Sequence, residues 1–233
     1  MLGRVDISSA TGQDSRPRFP LREKFIQTFK YETAQELEFQ RLAVQLPASW
    51  KQIFPPGHQL NDIFSDLTAA IAHTDFKTMK KEFWRDVNFI LYWLDPIMHK
   101  LLCLRSELTP LQEVCRLGII LFTGPIRRNC GKLGVDSTVY VRKLKDLFLA
   151  TQDKIDWTPH TQLLLWVLFF GMLETWRLPE QCWYVSSLCL TARGLGLDSW
   201  AEVVESVSNF LWMENIFETD LDRFQNIVTL GFN

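Results

Sequence analysis

Residues 118–133, GIILFTGPIRRNCGKL, run an apolar stretch into a glycine-bearing loop that ends in Gly131-Lys132, the ingredients of a phosphate cradle. Such a loop wraps backbone N–H groups around a phosphate, sets a lysine against its charge and needs Ser or Thr next in line to hold magnesium. The spacing here does not fit. Gly124 and Gly131 enclose six residues where the loop requires four, and Leu133 replaces the hydroxyl. Arg127, Arg128 and Lys132 keep the charge to hold an anion, but a basic loop solvated between two helices is the commoner role of such a run and is the expectation.

The other reactive side chains form no constellation. His58, His73, His99 and His160 are dispersed, and none stands four residues from another with a glutamate between. Cys103, Cys115, Cys130, Cys182 and Cys189 are odd in number, contain no C-x-x-C pair and read as reduced thiols inside the cell. Six residues separate Cys182 from Cys189, a spacing some zinc clusters use, but here it falls within an expected helix and lacks companion ligands. Asp75, Glu82 and Asp86, and later Glu214, Glu218, Asp220 and Asp222, resemble solvated helix faces and a loop. No Ser or Cys has the G-x-S-x-G setting of a hydrolase. The expectation is a non-enzyme with no metal and no cofactor.

Tryptophan is a different signal. Trp166, Trp176, Trp183, Trp200 and Trp212, with Trp157, are spread over four segments and could together line a pocket for a flat hydrophobic ligand, though packing in a core explains them more simply.

The chain of 233 residues is 47% hydrophobic and 22% charged, with nine Trp and 17 Phe, enough apolar material for a sizeable core. Its 25 basic and 27 acidic residues leave a net charge of −2, so no overall attraction to nucleic acid or anionic lipid follows. The polar stretch after Met1, LGRVDISSATGQDSRPR, lacks the apolar segment of a secretory signal.

What must position these residues is organised around 157–183, WTPHTQLLLWVLFFGMLETWRLPEQCW. Eleven apolar residues, 163–173, make a helix hydrophobic all round, which must be buried. At ~1.5 Å per residue it covers about half of a bilayer core, so a central helix of a globular protein is expected rather than a membrane span. Thr158-Pro159 is expected to start it, and Glu174, Arg177 and Glu180 to close it. Earlier, residues 1–20 read as a polar tail or extended segment, and 32–46 carry only a partial helical pattern. Leu60, Ile63, Phe64, Leu67 and Ile71 predict an amphipathic helix, and a long apolar pattern over 76–104 is expected to be kinked or divided at Pro96. Thr109-Pro110-Leu111-Gln112 is a capping box with proline at the first turn, heading a helix that buries Leu111, Val114, Cys115, Gly118, Ile119 and Phe122, before a loop over 123–136. Tyr140, Leu144, Leu147 and Phe148 mark another helix. Val185, Leu188, Cys189, Ala192 and Leu195 mark a further one, ended by Gly194 and Gly196. Ser199-Trp200-Ala201-Glu202 caps the last clear helix, which turns Trp200, Val203, Val204, Val207, Phe210 and Leu211 inward. No stretch alternates with period two between hairpin turns. The expected fold is all-α, a multi-helix bundle or orthogonal helical array around a buried central helix. Residues 21–233 are read as one domain.

Several of these motifs, in this order, carry a resemblance: Cys115-Arg116-Leu117, then HTQLLLWVLFFGMLE with Gly171, then Trp183-Tyr184 in EQCWYVSSL, then LGLDSWAEVVESVSNFLW. Together they resemble the fungal-specific transcription factor domain, the helical regulatory region downstream of a zinc binuclear cluster, over about residues 60–212. Residues 6–20, ending RPRFP, resemble an internal stretch of that domain, so the chain is expected to begin part-way through it. Met172 departs from the small residue usual in the family, and the cysteines cannot build the zinc cluster that reads DNA. The resemblance implies a nuclear module, shared with the cytoplasm, that regulates transcription through protein partners: the transcription machinery, a full-length regulator or another copy of itself. It implies no specific DNA binding and no membrane role. The alternatives are a sensor of a small hydrophobic ligand or a non-functional fragment of a longer regulator.

Overall fold

A computed structural model describes residues 2–21, 26, 48–77, 89–105, 107–129, 136–213 and 216–232. Among them are ten α-helices and no strand, so the fold is all-α. The chain divides into two compact units rather than a tail followed by one body. The first comprises Met1–Val44, Pro56–Glu107 and Ile126–Val135, and the second Gln45–Pro55, Leu108–Pro125 and Asp136–Asn233. The partial pattern at 32–46 lies outside the described residues.

The first unit corrects the expectation of a tail over residues 1–20. Leu2–Gln13 is a helix, α1, and Ile7, Ala10 and Thr11 are buried on it. Pro17 restrains only the residue before it, and the helix has ended by then. Its end is a Schellman turn built on Asp14, at φ 43°: the Ser15 N–H donates to the Ala10 carbonyl at 2.9 Å, and the Asp14 N–H to that of Thr11 at 3.2 Å. The next bend is held by Asp6, whose Oδ2 accepts from the N–H groups of Arg18 at 2.7 Å and Phe19 at 2.8 Å. Helix α3 (Gln59–Lys77) buries the whole expected stripe of Leu60, Ile63, Phe64, Leu67 and Ile71. Further on, Pro96 divides the apolar pattern as expected. Ile90–Leu94 is a π-helical turn in which the Asp95 N–H reaches back to Ile90, and α4 (Asp95–Cys103) starts with the proline in its first turn, where no N–H is needed. Both α1 and α3 pack on α4.

The second unit opens with the short helix α2 (Ala48–Ile53), whose Trp50 is fully buried. The capping box at Thr109 forms as expected, with the Thr109 N–H donating to Gln112 Oε1 at 3.1 Å and the Gln112 N–H to Thr109 Oγ1 at 3.4 Å. The helix it heads, α5 (Pro110–Asn129), runs past Gly124-Pro125, so 123–129 is not the expected loop. Phe122, Thr123 and Ile126 are buried there, and that packing outweighs the one hydrogen bond the proline removes. Residues 130–135 lie outside the described residues.

Helix α6 (Thr138–Thr151) buries Tyr140, Val141, Leu144 and Phe148. The central helix α7 (Thr161–Leu173) is buried all round as its composition demands: ten of its thirteen residues have no appreciable exposure. Its start differs from the expectation. Thr158 does not cap it with its side chain. Thr158–His160 is a 3-10 turn, entered where Asp156 Oδ1 accepts the Thr158 N–H at 3.0 Å. At the far end, Arg177 adopts a left-handed φ of 64°. Helix α8 (Gln181–Gly194) packs along α7 and closes in a full Schellman turn with Gly196 at φ 72°; the Leu197 N–H donates to Ala192 and that of Gly196 to Arg193, both at 3.0 Å. Ser199 and Glu202 form the expected capping box of α9 (Trp200–Ser208). The closing acidic segment is not a loop but α10 (Glu218–Phe232), which buries Phe224 and Val228.

Candidate functional site

Arg127 and Arg128 occupy the last turn of α5, while Lys132 lies outside the described residues. Gly124, the first glycine of the supposed cradle, meets a carboxylate instead. A Cβ there would come within 2.7 Å of Glu174 Oε1 and 2.9 Å of Oε2, so the glycine makes room for an acidic side chain at the end of α7. That is the wrong charge to receive a phosphate.

The five tryptophans fall in three places. Trp166 is fully buried, its indole N–H donating to the Leu211 carbonyl at 3.2 Å, and its ring lies 4.9–5.6 Å from those of Phe122, Phe170 and Phe210. Trp200 stacks on Phe169 at 5.6 Å, and Trp212 lies 4.8 Å from Phe217, so both belong to the same aromatic cluster. Trp183 sits with Phe148, which also contacts Trp157, and Lys145 lies over its ring. Trp176 stands apart and exposed, edge-on to Phe224, with the guanidinium groups of Arg177 and Arg223 at 6.0 and 5.9 Å. The rings of the first cluster fill one another's space, and the five do not converge on a common ligand.

The motifs that carry the family resemblance meet one another. Gly171 of the central helix lies against the ring of Tyr184: a Cβ would stand 2.9 Å from Cδ1 and closer still to Cε1. Tyr184 in turn donates its hydroxyl to the Val141 carbonyl at 2.8 Å, and burial raises its pKa well above the ordinary tyrosine range, making the hydroxyl harder to ionise. Gly118, two residues beyond Arg116, presses on Val167, with a notional Cβ 2.8 Å from Cγ2. Arg116 itself is fully buried and forms a bidentate pair with Glu113, both bonds at 2.6 Å.

Two buried polar groups stand out beside the 3-10 turn. His160 Nδ1 and Trp157 Nε1 have no hydrogen-bond partner, and burial, against a smaller opposing effect of Asp156, holds the His160 imidazole below its ordinary range. No group of three or more His, Cys, Asp or Glu that could hold a metal ion occurs among the described residues, and no helix there is long and apolar enough to cross a membrane.

Pairwise spacing overlooked one constellation. His99 and Cys103, four residues apart on α4, bring Nδ1 and Sγ to 3.6 Å, while His99 Nε2 lies 2.9 Å from the Phe19 carbonyl oxygen. The signal was an H-x-x-x-C spacing within an apolar helix; the third member, a backbone carbonyl eighty residues earlier, has no sequence signature.

No protein-family model, no curated protein and no solved structure matches the chain.

Proposed function

We propose that this chain is a non-enzymatic regulatory module of the fungal-specific transcription factor type, acting in the nucleus, and in part the cytoplasm, through protein partners and without reading DNA itself. The observation that carries the reading is the pairing of the motifs, Gly171 with Tyr184 and Trp166 with the carbonyl of Leu211, while Gly118, the residue after Cys115-Arg116-Leu117, meets Val167. Residues that give the resemblance its order are one another's packing partners within the second unit. That is the pattern of a scaffold, whose work is done by its outer surface. Partners are the transcription machinery, a full-length regulator of the same kind, or a second copy. The near balance of charge favours protein surfaces over polyanions. The dispersal of Trp176 and Trp183 from the Trp166 cluster disfavours the ligand-sensor alternative.

Tethering the chain to an unrelated sequence-specific DNA-binding domain tests this. The fusion should change the output of a reporter carrying the cognate site, and the change should vanish with substitutions that unfold the second unit. A fusion that is expressed, nuclear and helical, yet leaves the reporter where the DNA-binding domain alone leaves it, would overturn the proposal. The chain without that domain should not retard duplex DNA sequence-selectively at physiological salt.

A further inference from the structure

We infer that Cys103 is a site of covalent modification by soft carbon electrophiles of the α,β-unsaturated carbonyl class, with His99 as the base that takes the thiol proton. Four residues apart on α4, the two side chains stand one turn above each other, and Sγ lies 3.6 Å from Nδ1. The other ring nitrogen fixes the tautomer. Phe19 offers His99 Nε2 a carbonyl oxygen at 2.9 Å, and a carbonyl can only accept, so Nε2 carries the proton and Nδ1 turns its lone pair to the thiol. Residue Phe19 is held at its other end as well, since its N–H and that of Arg18 both donate to Asp6 Oδ2. Asp6 therefore positions Phe19, and Phe19 positions His99. Nucleophile, base and orienting group stand in the order that activates a side chain for covalent chemistry. All of these residues belong to the first unit.

Among the described residues, the surroundings of the thiols separate Cys103 from the other three cysteines; Cys130 lies outside the described residues. Cys115 and Cys189 are buried, and burial raises both thiols above their ordinary range. Cys103 is half-buried, and Cys182 is exposed. Reactive thiols are those that combine access with a neighbour able to take or balance the proton.

The step balances without an oxidant. Nδ1 takes the proton from Sγ, leaving a thiolate beside an imidazolium whose Nε2–H still donates to Phe19. Sulfur bonds to the β-carbon of the electrophile as the C=C pair moves toward the carbonyl to give an enolate. The imidazolium then returns its proton to the α-carbon, so the product is a neutral thioether and His99 is restored.

The experiment uses the full chain and N-ethylmaleimide, a reagent of this class, at limiting concentration, with labelling followed at each cysteine by peptide mass spectrometry. Cys103 should react faster than the more exposed Cys182, and His99→Gln should slow Cys103 by about tenfold or more while leaving Cys182 unchanged. Loss of far-UV circular dichroism reports unfolding of either unit, and new labelling of the buried Cys115 and Cys189 marks unfolding of the second. If His99→Gln unfolds in this way, Asp6→Asn takes its place, freeing the Phe19 peptide at the surface and lowering the Cys103 rate selectively. A Cys103 in the unaltered chain that reacts no faster than Cys182, or one whose rate is indifferent to both substitutions in folded protein, would overturn the inference.

Discussion

Gly171→Ala is a substitution whose sign two effects contest. In the interior of α7, alanine gains up to ~1 kcal/mol of helix propensity over glycine. Against this stands the Tyr184 ring, whose Cδ1 lies 2.9 Å from where the new Cβ must go, with Cε1 nearer. The ring is buried, packed edge-on against Trp183 at 4.8 Å and tied through its hydroxyl to Val141. It cannot yield as a long exposed side chain would. Overpacking of this kind costs ~1–3 kcal/mol, and a displaced tyrosine hydroxyl a further ~0.5–1.5 kcal/mol. The clash wins, and the net loss is about 0.5–3.5 kcal/mol. For a chain of this size each kcal/mol moves the melting temperature by ~2–4 °C. Gly194→Ala is the internal control, since nothing lies within 4 Å of its notional Cβ and φ there is not left-handed; it should stabilise by up to ~1 kcal/mol. Urea denaturation followed by tryptophan fluorescence gives both midpoints. Adding Tyr184→Leu should recover part of the Gly171→Ala loss, because the offending ring is gone. A Gly171→Ala midpoint equal to or above that of the unaltered chain would refute the reasoning, whatever Gly194→Ala does.

Trp166→Ala removes a fully buried indole and its bond to Leu211, and should cost ~3–5 kcal/mol, whereas Ser199→Ala removes only the side-chain half of a cap and should cost about 1 kcal/mol. Equal shifts in the urea midpoint would mean that the core is not centred on α7. In alkali the buried Tyr184 decides the direction: burial first, then the charges of Glu180 and Asp146, raise its folded value above the unfolded one of about 10. Its contribution is fully present below that unfolded value and drains as pH rises beyond it, with a slope of at most ~1.4 kcal/mol per pH unit; Tyr184→Phe should flatten the fall in urea midpoint above pH ~10. Leu190→Ser, at a residue of α8 that is 67% exposed, should change stability by less than ~0.5 kcal/mol, so under the proposed function a loss of reporter output from the tethered chain would measure partner contact rather than folding.

Boundaries written in side-chain chemistry were legible in the sequence. The capping boxes at Thr109 and Ser199 and the Gly196 turn each satisfy specific backbone groups, so residue type alone locates them. The apolar run of α7 was equally plain, because a helix without a polar face has one place to go. What escaped was structure held by distant partners. Helix α1 carries few apolar residues, and Ile7 and Ala10 are buried on a helix that packs against α4, a distant partner in sequence. Gly124-Pro125 reads locally as a break, yet α5 continues through it under the packing of its neighbours. The closing acidic segment hides α10 for a related reason: Phe224 and Val228 are its buried anchors in a mostly polar stretch. Of the possible sites, spacing missed the contact of His99 with Phe19, since that is made to a backbone atom.

The paired glycines also bear on where function can vary. A glycine pressed against a tyrosine ring, or against Val167, tolerates change only if its partner changes with it, so each such position is fixed by another segment of the chain. Trp166, with its ring inside an aromatic cluster and its N–H bound to a carbonyl, is fixed twice over. The exposed Leu149 and Leu190 carry no comparable restraint. Substitution there changes the surface while leaving the core intact. Cys103 stands between these two regimes, half-buried and tied through His99 to the Phe19 carbonyl.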